Sequence, residues 1–156
     1  MNKKYIHHRS GFTLVELIIV VAIIGVLAAI VLTFLTKAKN QGEDASVKAG
    51  LNQVRTQADL FITAYNVYTN VCSTASDSLS PRGINAMVYG AGKVNGYTNP
   101  VNVNGAGTST VRCNEASNGW AAEIPLKNQT GYYCVDYTKK GIVTATSIGD
   151  TNAFCS

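Results

Sequence analysis

The chain has 156 residues, room for one ordinary domain with an attached helix and too few for two. Its formal net charge is +4, but Lys3, Lys4 and Arg9 precede the apolar block, and without them ten basic residues face nine acidic ones. A nearly neutral remainder excludes broad capture of nucleic acid by charge, which needs a concentrated basic face.

Residues 1–11, MNKKYIHHRSG, are short, basic and free of acid. From Leu17 to Thr36 there is no charge and no proline, and Leu, Ile, Val and Ala dominate. At a rise of about 1.5 Å per residue, such a run spans the roughly 30 Å of a bilayer's hydrocarbon core. The positive-inside tendency keeps the basic end in the cytoplasm and exports everything after Leu35. A secretory signal would have a shorter core followed by an A-x-A site, whereas here the small-residue junction, Ser10-Gly11-Phe12, lies before the core. A plain signal anchor is the alternative reading. His7 and His8, adjacent in a leader, read as polar filler rather than as a metal pair. At the amino-terminal edge of the block stands one charge, Glu16, and a carboxylate there requires a partner.

The run Gly11-Phe12-Thr13-Leu14-Val15-Glu16-Leu17, behind a short basic leader and opening an apolar helix, closely resembles the prepilin signature of type IV pilins, type IVa-like, and their pseudopilin relatives. The motif is specific because glycine, phenylalanine, glutamate and the apolar run must coincide. The resemblance is sharp over the first third of the chain and architectural thereafter. It implies cleavage between Gly11 and Phe12 by a prepilin peptidase on the cytoplasmic face, and N-methylation of Phe12. It implies further that the helix leaves the membrane for a fibre of identical copies, with help from an inner-membrane assembly platform and an assembly ATPase. Glycine suits the cleavage position, since the missing side chain lets a protease approach the backbone. Cutting there creates one new cation, the Phe12 amine, about one helical turn from Glu16. Pairing between the two, within a subunit or across neighbours, would set the register of assembly.

After Leu35 no loop signal intervenes. Val47, Leu51, Val54, Ala58, Phe61, Ile62 and Tyr65 recur near the helical period, with Lys48, Asn52, Arg55, Gln57 and Asp59 on other faces. One continuous helix from about Thr13 to about Tyr68 is expected, with residues 12–36 in the membrane or fibre core. Gly42 and Gly50 interrupt any heptad seam. Many family members carry a helix-interrupting proline shortly after the apolar block; this chain has Thr33 and Phe34 there.

Residues 71–111 are rich in Ser, Thr, Asn and Gly, with turn signals at Asn95-Gly96 and Asn104-Gly105 and weak strands near Ala86–Tyr89 and Val101–Val103. The resemblance places the pilin variable loop here. Three runs then read as an antiparallel meander: Trp120–Leu126, Gly131–Tyr137 and Ile142–Thr146. Pro125 suggests an edge position or a bulge, and Trp120 a core aromatic rather than a ligand platform. The expected fold is α+β: a pilin-like long helix, half transmembrane and half amphipathic, packed on a small sheet carried by residues 69–156.

Cys72, Cys113, Cys134 and Cys155 all follow the membrane block, are even in number and form no CxxC, which favours disulfides over zinc. A bond between Cys134 and Cys155 would match the C-terminal disulfide loop of many type IV pilins, leaving Cys72 to Cys113; three connectivities remain open. No catalytic constellation is visible, since both histidines lie in the leader and neither a phosphate loop nor HExxH occurs. No cofactor or metal is expected. Asp136 and Asp150 would be the candidates for a calcium pair of the pseudopilin kind, but two carboxylates without ligand spacing read as surface charges. Asn128-Gln129-Thr130 matches a glycosylation sequon. Lys139-Lys140 is the sole support for nucleic-acid or receptor capture. The leading expectation is a structural subunit of a surface fibre serving adhesion, twitching motility or DNA uptake, not an enzyme; a pseudopilin or minor pilin of a secretion or competence system is the alternative.

Overall fold

The computed structural model describes residues 11–73, 82–105, 107 and 109–156. The elements run α1 (Leu14–Tyr65), α2 (Asn85–Val94), β1 (Asn102–Val103), β2 (Arg112–Ala116), β3 (Gly119–Pro125), β4 (Tyr132–Asp136) and β5 (Gly141–Thr144). The chain divides between Ala38 and Lys39 into two compact units, and α1 contributes to both. The fold class is α+β, one long helix with a five-stranded, mostly antiparallel sheet.

In the second unit α1 buries Asp44, Val47, Leu51, Val54, Ala58 and Phe61, alternating steps of three and four residues that keep one face inward. That face packs with Val71, Ile84, Val88, Val111, Trp120, Ile124 and Val135 into one apolar core, with Ile62 and Tyr65 partly buried at its margin. The helix stops at Tyr65, short of Tyr68, because Asn66 turns into the left-handed region at φ 54° and its N–H bonds back to the Ile62 carbonyl at 2.7 Å.

The sheet has the order β1-β2-β3-β4-β5, antiparallel except where β1 runs parallel to β2. The meander occupies β3 to β5, and two further strands extend it. β2 carries no strand signal in its sequence, Arg-Cys-Asn-Glu-Ala; its place is set by pairing with β3, from Arg112 opposite Glu123 to Ala116 opposite Gly119. Residues 86–89, expected as a weak strand, are helical. Asn85, Val88, Ala91 and Gly92 form the buried side of α2, a helical spacing obscured by the surrounding glycines. Gly50 on α1 admits this helix, for a Cβ there would lie 3.0 Å from that of Ala91. Pro125 lies neither on an edge strand nor at a bulge, for β3 pairs with β4 in unbroken register from Ala121 opposite Asp136 to Pro125 opposite Tyr132. It ends a central strand beyond Glu123, the last residue of β3 within the β2 register on that side, so its missing N–H removes no bond to β2.

Candidate functional site

The first unit offers an apolar helix whose large side chains are covered by none of the described residues. Phe12 is 84% exposed, and the large side chains from Leu14 through Leu35 are all exposed. The helix is long and apolar enough to cross a membrane, and it runs unbroken through Gly25, Thr33, Phe34 and Gly42. Its hydroxyls are satisfied internally: Thr33 Oγ1 donates to the Ile30 carbonyl at 2.7 Å and Thr36 Oγ1 to that of Leu32 at 3.1 Å. They therefore impose little penalty in lipid.

The helix opens on Thr13 and Glu16. The Thr13 N–H and hydroxyl both donate to Glu16 Oε2 at 2.8 Å, while the Glu16 N–H donates to Thr13 Oγ1 at 3.3 Å. This reciprocal capping box satisfies the first free amides of the helix. Reading Glu16 only as an assembly charge overlooks it, although T-x-x-E before an apolar run is its sequence signal. Two consequences bear on function. The carboxylate is drawn to the helix start, one residue from Phe12, and Glu16 Oε1 makes no bond to any described residue. Gly11 is exposed, and a side chain placed on it would meet nothing within 4 Å. His7 and His8 lie outside the described residues.

In the second unit the structure joins Cys72 to Cys113 and Cys134 to Cys155. Acids tie chain segments around these bonds. Glu115 accepts the N–H groups of Asn70 at 2.8 Å and Cys72 at 2.6 Å, holding the stretch beyond α1 against β2. Asp136, fully buried, takes Thr138 at the β4–β5 turn with one oxygen and the Cys155 N–H at 2.9 Å with the other. Asp150 instead stands 3.3 Å from Arg112 Nε. The two acids considered for calcium are thus spent on different partners, and Asp136, expected to be a surface charge, is buried while Asp150 is exposed. Among the described residues no group of three or more His, Cys, Asp or Glu is placed to hold a metal.

Glu123, also fully buried, accepts from the Ser147 hydroxyl, from the Ile148 N–H at 2.9 Å and from Arg112 Nη1 at 3.4 Å. Burial pushes its carboxyl above the usual carboxylate range, outweighing those donors. Asp44 is only 5% exposed and accepts from the backbone N–H groups of Lys127 at 2.8 Å and Asn128 at 2.9 Å. Beside it Glu43 takes the Lys127 ammonium at 2.7 Å, a bond that lowers the Glu43 carboxyl. This clasp fastens the β3–β4 loop to α1. Asn128 is exposed in that loop and Trp120 is fully buried. Lys139 and Lys140 form the β4–β5 turn, where Lys140 Nζ reaches the Cys155 carbonyl at 3.4 Å.

Residues 6–32 match the family model for the prokaryotic N-terminal methylation motif. The chain is 35% identical over 81 residues to competence protein ComGC of Halalkalibacterium halodurans, covering 52% of this chain and 76% of that protein. It is 39% identical over 61 residues to the type IV wide pilus major component PilA4 of Thermus thermophilus, covering 39% of this chain and 47% of that protein, about half its length. No solved structure matches the chain significantly.

Proposed function

Because the chain belongs to the type IV pilin superfamily, we propose that it is the structural subunit of a type IV pilus, polymerising through its N-terminal helix into a surface fibre. The observation that carries this is the exposed apolar helix opening on a single carboxylate, one oxygen of which is unspent among the described residues. In this reading residues 1–11 remain cytoplasmic, the helix holds the precursor in the inner membrane, and the second unit folds and oxidises its cysteines on the outer side. Peptidase cleavage after Gly11 frees the Phe12 amine, which is then methylated. Glu16, held at the helix start by Thr13, presents Oε1 to the amine of a neighbouring subunit.

Energetics define what assembly must do. Lipid tails solvate the helix as well as other helices do, so packing alone gives little reason to leave the bilayer. In water each of its large side chains would cost about 2 kcal/mol. Extraction therefore requires work, supplied here by the assembly platform and its ATPase, and each helix must pass directly into a bundle of its neighbours. Within that bundle an unpaired Glu16 is penalised, so only the register that pairs it persists.

A second reading, a competence-type pseudopilin, draws support from the longer of the two matches, that to a competence protein. Mass spectrometry of material sheared from the producing cell separates the two. A subunit starting at methylated Phe12, lighter by four hydrogens for two disulfides, identifies the fibre component. The same processed mass confined to the inner membrane favours the pseudopilin. An uncut chain beginning at Met1 overturns both.

A further inference from the structure

Beside the last turns of α1 lies a small groove that the assembly reading does not use. It has a volume of about 180 Å³ and is lined by Asp59, Ile62, Thr63, Tyr68, Tyr137 and Lys139. Tyr68 and Tyr137 meet edge to face with ring centroids 5.7 Å apart, forming an aromatic wall. Asp59 and Lys139 bring opposite charges to the same groove without pairing; neither carboxylate nor ammonium has a partner among the described residues. The hydroxyls of Tyr68 and Tyr137 likewise have no hydrogen-bond partner among the described residues.

The turn that presents Lys139 is rigid. Buried Asp136 accepts from the Thr138 N–H at 2.9 Å, the Thr138 hydroxyl at 2.7 Å and the Lys140 N–H at 3.3 Å. Arg55 of α1 donates to the Lys140 carbonyl from the other side. Lys139 itself sits at φ 66°, a conformation that favours glycine and that a lysine occupies at an energetic cost. A strained, well-anchored residue bearing a free charge into a groove is the pattern of a binding position rather than of a passive turn.

We infer that this groove binds a single neutral saccharide unit, the terminal hexose of a glycan. Its volume is below the roughly 300–1,000 Å³ of drug-sized pockets and suits one sugar ring. A sugar's C–H face lies on an aromatic wall, its hydroxyls donate to the Asp59 carboxylate, and its oxygens accept from the Lys139 ammonium and the tyrosine hydroxyls. With one charge of each sign the groove is neutral overall and gives an anionic sugar no advantage. A single site of this kind binds weakly, with a Kd of about 1 mM. Repetition of the site along a fibre would turn that into useful avidity.

The test uses the full chain in micelles of an amine-oxide detergent, which carries no sugar headgroup. Methyl glycosides of glucose, galactose, mannose and N-acetylglucosamine are titrated and followed by saturation-transfer NMR. At least one is expected to saturate, and Asp59→Asn and Lys139→Gly should each weaken it by about tenfold or more. Lys139→Gly removes the ammonium while relieving the backbone, so its thermal midpoint should hold or rise as binding falls, which separates lost binding from lost folding. The inference is overturned if no glycoside saturates, if affinity survives both substitutions, or if free glycine occupies the groove more tightly than every glycoside, which would mark a zwitterion site.

Discussion

One helix serves two solvents in this chain. Between Leu14 and Leu35 its large side chains are all exposed, whereas between Val47 and Phe61 the stripe Val47, Leu51, Val54, Ala58 and Phe61 is at most 1% exposed. The second stretch buries one stripe against the sheet, whereas in the first no described residue covers any of the large side chains. Folding energy and assembly energy are therefore stored in different residues. Substitutions in the two stretches should report on different processes.

The largest separation should come from matched leucines. Leu51→Ala opens a cavity in the core and should lower the stability of the second unit by about 2–5 kcal/mol. Leu27→Ala, in the exposed stretch, should change it by less than about 0.5 kcal/mol. Urea unfolding in detergent, followed by fluorescence of the single, fully buried Trp120, measures both. Equal losses from the two substitutions would mean that the stretches are not energetically distinct.

A smaller effect should arise at Asp44, the first buried residue of α1. Asp44→Ala would leave the Lys127 and Asn128 N–H groups without their acceptor, at a cost of about 2 kcal/mol by the same assay. Asp44→Asn, which keeps an acceptor oxygen, should lose less. An unaffected Asp44→Ala would show that water replaces the clasp and that the stripe alone fixes the β3–β4 loop to α1.

How legible these regions are in sequence follows from the range of their interactions. The apolar stretch, the stripe and the meander are periodic within one segment, and each can be read from neighbouring residues. Thr13 belongs to the same class, because its partner Glu16 is three residues away. Asp44 does not, since its acceptors serve backbone groups 83 and 84 residues further on and nothing local distinguishes it from the less buried Glu43. β2 fails for a related reason: its place comes from β3 and from the Cys72–Cys113 bond rather than from Arg-Cys-Asn-Glu-Ala itself. Glu123 is the extreme case, an acid between Ala122 and Ile124 whose donors lie on β2 and in the 147–148 turn.

Glu123 also gives the finest test of the comparison, because the exposed stretch holds no buried acid. Its carboxyl stands above the unfolded value of 4.5 when folded, through burial. Its contribution to stability is therefore fully present below 4.5 and is lost as pH rises through the folded value. Glu43 has the opposite sign: lowered by the Lys127 ammonium, it contributes above 4.5 and loses that contribution as pH falls through its depressed folded value. Glu123→Gln keeps an acceptor for the Ile148 N–H, and Asp150 still faces Arg112, so the overall change should stay at about 1 kcal/mol. The informative quantity is the slope. From pH 4.5 upward the variant should gain on the natural chain, since it lacks the term that weakens with ionisation. Parallel curves would mean that Arg112 and Ser147 fully compensate the charge, and a variant that falls behind as pH rises would make Glu123 a stabilising ion-pair partner instead.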